Sequence, residues 1–521
     1  MNLPPPRPWT RADWWALAAL LVVAAGLSIP RLRGPLDLRY DAGVYYILGT
    51  SLAEGKGYRL LNEPGAIQAV QYPPVLPLVA AAQERLLGTT DPAVVGHWLR
   101  ISAILCFLAY AVTTYLLGHR FLPTRYAFLG ALIAVLQVQT LFLSDSFAAD
   151  VPYALISSLF FLAGGGPVAG FLAVTTFGLR TAGIALLGAW AAEALLRRRY
   201  RNAALRAAVA IAAVGGWQMY TARVKAGPEY AHPAYSYQRA DYQYYNVGYV
   251  ENMRYVDPFQ PELGRASARQ WASRLWANAG RIPSSLGEAV SLHRGWWRGE
   301  ANRIEERFPS VVIPDRAIDV ALAFISLLVI AGMVLLAMDG HWMVVLYVLG
   351  SILLIVITPW PGQFTRYLIP LTPFLTLSLV TATGALATHA ARSGGGWRWA
   401  SRAAAVTIVS ILIQQVYTLH KTFTRHHEPA TIADASGRIY HYRLFFYDRT
   451  WQLHDEALTW LARQSKGEGV VATSTPHLTY LKTGLRAIMP PYELDPSRAE
   501  QLLDEVPVTY LVVDNLEFLD V

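Results

Sequence analysis

Asp41 opens the run Asp41-Ala-Gly-Val-Tyr45-Tyr46, and two further runs follow in the same loop, Glu54-Gly-Lys-Gly-Tyr58 and Tyr72-Pro-Pro74. A carboxylate backed by tyrosines and a Gly-rich turn can be held partly away from water. Partial burial suits it to proton abstraction as a general base. The alternative is an interfacial ion pair with Arg33 or Arg39, worth little energetically. Asp145 and Asp150 lie in Ser144-Asp145-Ser-Phe-Ala-Ala-Asp150-Val-Pro152. Asp150 before a helix with Pro in its first turn fits an N-cap, and it also fits a second functional carboxylate. Arg180, in Gly178-Leu-Arg180-Thr, and Arg366, in Gln363-Phe-Thr-Arg366-Tyr367, stand at the ends of apolar segments. Such arginines either reach back to lipid headgroups or grip phosphate oxygens through a bidentate fork.

The elements that must position these groups are membrane spans. Of 521 residues, 54% are hydrophobic and 15% charged, against about 25% charged in an average soluble domain. Mean hydropathy is +0.29, and the 16 Trp and 28 Tyr suit interfacial aromatic belts. A carboxylate beside a bilayer is costly, so an acidic, aromatic loop between spans reads as a functional site. The net charge of +8 lies in short arginine clusters flanking apolar runs, which points to anionic lipid and not nucleic acid. The single cysteine, Cys106, sits in an apolar run, so there is no disulfide framework and no thiolate metal site.

Apolar runs place eleven spans, near 14–30, 98–118, 126–143, 150–163, 167–179, 181–196, 203–222, 317–337, 342–358, 366–390 and 400–420. The first reads as a retained span, not a cleaved signal. The fourth and fifth fall short of the ~20 residues of a perpendicular crossing. Counting Lys and Arg in short loops puts the amino terminus, residues 119–125, the Arg197-Arg198-Arg199 cluster and Arg392/Arg398/Arg402 in the cytoplasm. Asp41, Asp145, Asp150, Arg180 and Arg366 then all emerge on the outer side, with the carboxyl terminus.

Two outer segments, 31–97 and 224–316, are long enough to bind or cover a ligand. The second holds Tyr230, Tyr235, Tyr237, Tyr242, Tyr244, Tyr245 and Tyr249, a pattern open to two readings, an interfacial belt or a stacking platform. Beyond 425 short strands alternate with helices: a helix near 454–464, a strand at Val470, a helix at 476–482, a strand at Arg486, a helix at 496–505 and a strand from Val508 to Asp514. This predicts a small, mostly parallel α/β domain over 425–521. His426, His427 and His441 lack metal-site spacing and read as surface histidines. The sequence has no phosphate-binding P-loop, no GxGxxG opening a helix and no GxSxG elbow.

Taken in order, Asp41-Ala-Gly-Val-Tyr45 through Tyr58, Tyr72-Pro-Pro-Val-Leu-Pro77, Asp150-Val-Pro152-Tyr and Arg366-Tyr367-Leu-Ile-Pro370-Leu-Thr-Pro373 resemble the GT-C superfamily of integral-membrane glycosyltransferases. The resemblance is to the branch with protein O-mannosyltransferases and the lipid A aminoarabinose transferase. Thr475-Pro-His-Leu-Thr-Tyr-Leu-Lys-Thr-Gly484 is similar to the soluble tail of bacterial members. The resemblance implies an all-α membrane bundle over 1–424 in the plasma (inner) membrane, with an extracytoplasmic α/β domain over 425–521. It implies a polyprenyl-phosphate-linked sugar as donor, an acceptor hydroxyl on a lipid, glycan or protein, and Asp41 as base. Asp145, Asp150, Arg180, Arg366, Tyr367, Tyr45, Tyr58 and Tyr72 are the expected substrate-binding residues. No cofactor is required; a divalent metal is optional. A secondary transporter is the alternative, predicting inverted repeats that the sequence does not display, and a scaffold with a partner-binding tail is the third reading.

Overall fold

The computed structural model describes residues 4–5, 7–393, 395–465 and 467–516. Helices occupy each of the eleven segments expected to span. Five are long and apolar enough to cross a membrane: Arg11–Arg31, Pro92–Phe121, Asp315–Met338, Pro361–Ser393 and Gly396–Arg425. Five more are apolar but short, Thr124–Leu136, Asp150–Ala163, Gly166–Leu179, Thr181–Leu196 and Trp342–Ile357. The helix Tyr200–Lys225 has length but falls outside both groups. The chain is thus a multi-pass membrane protein in which five crossings meet the criteria of length and hydropathy. Leu105, Leu327, Leu353, Val406 and Ile413, all exposed, present the apolar outer surface that a lipid solvent favours.

Bundle helices approach one another through small residues. Asp315–Met338 runs so close to Thr372–Ser393 that a Cβ on Gly332 would lie 1.8 Å from the Ser378 carbonyl oxygen, which only glycine allows.

The segment 31–97, a loop in the sequence reading, contains two helices, Asp41–Ala53 and Val75–Leu87. They pack on each other around Ala80 and Gly49. Before the first, a parallel bridge joins Asp37 to Ser146, with Asp37 N–H donating to the Asp145 carbonyl (3.2 Å) and Phe147 N–H to the Asp37 carbonyl (3.1 Å). This bridge ties the stretch entering Asp41 to the stretch entering Asp150.

The last long helix continues into an antiparallel hairpin, β1 (His427–Ala433) and β2 (Ile439–Phe445). A parallel three-stranded sheet follows, β3 (Val470–Thr473), β4 (Arg486–Ile488) and β5 (Val508–Val512), in the order β4-β3-β5. Helices Arg449–Gln464, Pro476–Thr483 and Pro496–Asp504 complete it. This α/β region docks on 31–97. Ala487 N–H donates to the Asn62 carbonyl (2.8 Å), the Asn62 amide donates to the Ala487 carbonyl (3.1 Å), and Arg39 donates to the carbonyls of Phe445 and Phe446 (2.6 and 3.0 Å). His427 is buried and stacks on Phe445 with ring centroids 4.4 Å apart. The expectation that it lies at the surface is therefore corrected: the hairpin folds back over the last helix and covers it. His441 is exposed.

Candidate active site

Asp41 and Asp150 are each the first residue of a helix, Asp41–Ala53 and Asp150–Ala163. Both carboxylates thus sit where unpaired N–H groups and the helix dipole favour negative charge. Asp150 is not an N-cap: Ala149 holds that position and makes no side-chain cap. Its carboxylate pairs instead with Arg180. Immediately before Asp41, Tyr40 has φ 58°, a left-handed conformation costly for a bulky residue. Its ring packs edge-on against Trp451 of the α/β region, at 5.5 Å, and that packing holds the backbone turn that starts the helix at Asp41.

Arg180 lies in extended backbone between Gly166–Leu179 and the turn Thr181–Gly183. The two apolar helices fold sharply back here; a Cβ on Gly183 would lie 2.5 Å from the Phe177 Cα. Arg366 belongs to the short helix Phe364–Leu368, between two 3-10 turns that break the entry to Thr372–Ser393. Irregular backbone at such depth is tolerated where it lines a cavity.

These elements surround one cavity of about 540 Å³, whose lining includes Asp41, Tyr45, Tyr72, Asp150, Arg180, Arg366 and Tyr367. Arg366 Nη2 donates to Asp41 Oδ2 at 2.7 Å, and the Tyr72 hydroxyl donates to Asp41 Oδ1 at 3.1 Å. The Arg180 guanidinium lies 6.0 Å from the Tyr367 ring centroid. The rings of Tyr45 and Tyr72 meet edge to face at 4.8 Å, and Tyr249 joins them 6.0 Å from Tyr72. Burial raises the hydroxyl pKa of Tyr45 and Tyr72 well above the ordinary range, so both remain neutral donors.

Two expected site residues lie elsewhere. Asp145 is buried between Arg100 (2.6 Å) and Arg31 (3.7 Å), away from the cavity lining. Tyr58 stands behind that lining and donates its hydroxyl to the Tyr72 carbonyl at 2.9 Å. The Tyr-rich segment is neither belt nor single platform. Tyr235 and Tyr237 pack against Val470 and Ile488, Tyr245 packs on His477 at 4.5 Å, and Tyr244 and Tyr249 line the cavity.

The cavity also holds residues that the sequence reading passed over: Gln71, Trp360 and the ion pair of Lys225 with Glu251. Gln71 directly precedes the Tyr72-Pro-Pro run and Trp360 the turn into Arg366, so proximity to those motifs was the available signal. Lys225 and Glu251 carried none, since either could be a solvated residue of a polar segment.

Among the described residues, no group of three or more His, Cys, Asp or Glu side chains converges as a metal site requires. Each cavity aspartate is already paired with a guanidinium, so a cation bound there would share the carboxylate with an arginine.

A bundle with broken helices thus brings two helix-terminal aspartates and two arginines to one cavity, and the fold that does so is shared with solved structures. Among solved structures, the chain is similar to the archaeal oligosaccharyltransferase AglB from Archaeoglobus fulgidus, in complex with an inhibitory peptide and a dolichol-phosphate. That likeness has a TM-score of 0.52 and 13% identity, over 96% of this chain and 70% of that one. The Archaeoglobus fulgidus oligosaccharyltransferase tethered with an acceptor peptide containing the NVT sequon gives 0.54 at 12% identity, over 96% and 69%. ArnT from Cupriavidus metallidurans bound to undecaprenyl phosphate gives 0.47 at 12% identity, over 96% and 90%. No family description and no curated protein matches the sequence.

Proposed function

We propose that the protein transfers a sugar from a polyprenyl-phosphate donor to an acceptor hydroxyl at the extracytoplasmic edge of the membrane, with inversion. The observation that carries this reading is the convergence of Asp41, Asp150, Arg180 and Arg366 on one cavity, with Asp41 and Arg366 in contact across 325 residues of sequence. The similarity in fold to AglB, described in complex with a dolichol-phosphate, supports a lipid-phosphate donor.

Asp41 takes the proton of the acceptor hydroxyl as its oxygen attacks the anomeric carbon. The bond from that carbon to the phosphate oxygen breaks, and its electron pair leaves with the lipid phosphate, neutralised by Arg366 and Arg180. Before donor binds, Arg366 is held by Asp41. An arriving phosphate competes for the guanidinium and frees the Asp41 oxygen it covered, so donor binding activates the base. Asp150 keeps Arg180 oriented. In this reading the amino terminus is cytoplasmic, the α/β region is extracytoplasmic, and the acceptor is a lipid, glycan or protein.

The test is incubation of the purified protein with radiolabelled polyprenyl-phosphate sugars and a membrane extract. Label moves to a non-donor fraction with the wild type and stays in the donor with Asp41→Asn. Absence of transfer from every donor sinks the reading; a fully active Asp41→Asn protein removes Asp41 as base.

A further inference from the structure

Buried polar atoms in folded proteins nearly always have a partner, because leaving one unpaired forfeits its hydration without return. Several atoms in the cavity wall break this rule together. Gln71 is 1% exposed, and neither end of its amide, Oε1 or Nε2, has a hydrogen-bond partner. It is the one buried amide among the described residues with both ends unpaired. Trp360 Nε1, Glu251 Oε2 and Arg366 Nε are likewise buried and unpartnered, and all four residues line the same cavity. The unsatisfied set contains three donors, Gln71 Nε2, Trp360 Nε1 and Arg366 Nε, and two acceptors, Gln71 Oε1 and Glu251 Oε2. A phosphate could answer only the donors. Hydroxyl groups, which donate and accept, answer all of them.

The charge balance narrows the ligand further. The cavity's carboxylates, Asp41, Asp150 and Glu251, are paired one to one with Arg366, Arg180 and Lys225. A lipid phosphate alone makes the loaded site negative, and a sugar bearing a carboxylate would add a second charge with no cation left to meet it. Beside these groups part of the wall is aromatic: Tyr244 and Tyr249 stand 5.6 and 6.5 Å from Trp360, edge to face, which suits the C–H faces of a ring.

We propose that Gln71, with Trp360, Glu251 and Arg366 Nε, forms the subsite that recognises an uncharged, hydroxyl-rich glycosyl ring. This rests on the glycosyl-transfer reading above and names the class of sugar it takes. The ring is that of the donor or of a glycan acceptor, and binding measurements separate the two.

The full-length protein is titrated with undecaprenyl phosphate and with undecaprenyl-phosphoryl mannose, glucose, galactose and glucuronate. In a second arm, protein saturated with undecaprenyl phosphate is titrated with the methyl glycosides of the same sugars. At least one neutral sugar binds more tightly than bare lipid phosphate in the first arm, or measurably in the second. Gln71→Met lowers that sugar-dependent gain about tenfold while leaving affinity for bare undecaprenyl phosphate unchanged. Its melting temperature does not fall, because the substitution removes two unpaired groups and breaks no side-chain hydrogen bond. Trp360→Phe gives a smaller loss in the same arm. The inference is overturned if Gln71→Met keeps the sugar-dependent gain, if glucuronate binds better than every neutral sugar, if no neutral sugar adds affinity in either arm, or if Gln71→Met lowers melting temperature and phosphate affinity together, the signature of a structural residue. Failure of the wild type to bind bare undecaprenyl phosphate would instead overturn the lipid-phosphate donor.

Discussion

Two sets of aspartates and arginines face each other across the stretch from Asp145 to Asp150. On one side, Arg31, Arg100 and Asp145 are at most 3% exposed in their side chains. Arg100 spends its remaining donors on the carbonyls of Pro35 (3.0 and 2.6 Å) and Arg31 (2.9 Å), and Arg31 donates to Ser144 Oγ at 2.8 Å. On the other, Arg366 and Arg180 are 26% and 20% exposed, and Arg366 keeps an unpaired Nε. The first set has used up its guanidinium valence on the protein; the second holds some in reserve. In the first set only a carboxylate oxygen, Asp145 Oδ2, is buried without a partner and the cavity lining does not include it, so the cluster is architecture, whereas one with free donors beside a cavity can exchange partners with a ligand.

The sharpest way to break that contrast is to neutralise one carboxylate from each set. Asp41→Asn lowers transfer by ~10²–10⁴-fold, the usual worth of a general base, with melting temperature kept and lipid-phosphate binding undiminished, since Arg366 loses its competitor. Steady-state transfer and lipid binding measured on the same preparation check both halves. A stable Asp41→Asn protein with wild-type rate would erase the functional side of the comparison.

Asp145→Ala is the counterpart. Removing one partner from a buried pair leaves charge without compensation, a cost of about 3–5 kcal/mol, here borne by two arginines. Thermal unfolding of detergent-solubilised protein drops sharply and yield falls, while the fraction that remains folded turns over at the wild-type rate. If Asp145→Ala is stable and inactive, Asp145 belongs with the catalytic set after all.

A third group lies at the seam between the α/β region and the helix that starts at Asp41. His477 is 4% exposed, its Nε2 is unpartnered, and a Cβ on Gly43 would lie 3.0 Å from its Cβ. Burial holds its pKa down to about 3, against the opposing field of Asp41. The folded protein therefore keeps His477 neutral, while the unfolded chain takes up a proton as pH drops below the ordinary 6.5. Its contribution to stability is complete above pH 6.5 and declines from there toward pH 3. At pH 5 the loss relative to pH 7 is about 2 kcal/mol, and His477→Leu removes that part of the slope. Glu84, raised to about 7 by burial, slopes the other way, since its protonated form is favoured in the fold and stability is lost as pH rises from 4.5 through 7. The difference between wild type and variant isolates His477; identical pH profiles would refute the assignment.

What the sequence disclosed follows from how local each signal is. Asp41, Arg180 and Arg366 stood out because charge at the end of an apolar segment is costly wherever it lies. Asp145 and Asp150 are five residues apart in one short stretch with the same neighbours. Only their partners separate them, and Arg31, Arg100 and Arg180 come from segments distant in sequence. The parallel sheet was legible because Val470–Thr473 is a wholly buried run. The β1–β2 hairpin was not, because each strand has only two fully buried residues among its seven, and charged or polar side chains interrupt the apolar ones. Gln71 escaped notice for the same reason as Glu251: a polar residue declares itself only when its partners can be counted. Helices within 31–97 were hidden by the glycines and prolines at their ends.

The finest test of the comparison moves from carboxylates to the hydroxyls behind them. Tyr72 and Tyr58 form a relay in which Tyr58 donates to the Tyr72 carbonyl and Tyr72 donates to Asp41. Only the second bond reaches a cavity carboxylate. Tyr72→Phe deletes a hydrogen bond to a charged acceptor and lowers kcat by roughly tenfold, with little change in stability because the freed Asp41 oxygen faces the cavity. Tyr58→Phe strips the Tyr72 carbonyl of a partner in the packed wall and costs about 1 kcal/mol of stability, leaving kcat within twofold. Turnover and melting temperature measured for both variants decide between the roles. The reverse pattern would mean that the aromatic wall reaches the base through backbone placement, and the line between saturated and reserve groups would have to be drawn one residue further from the cavity.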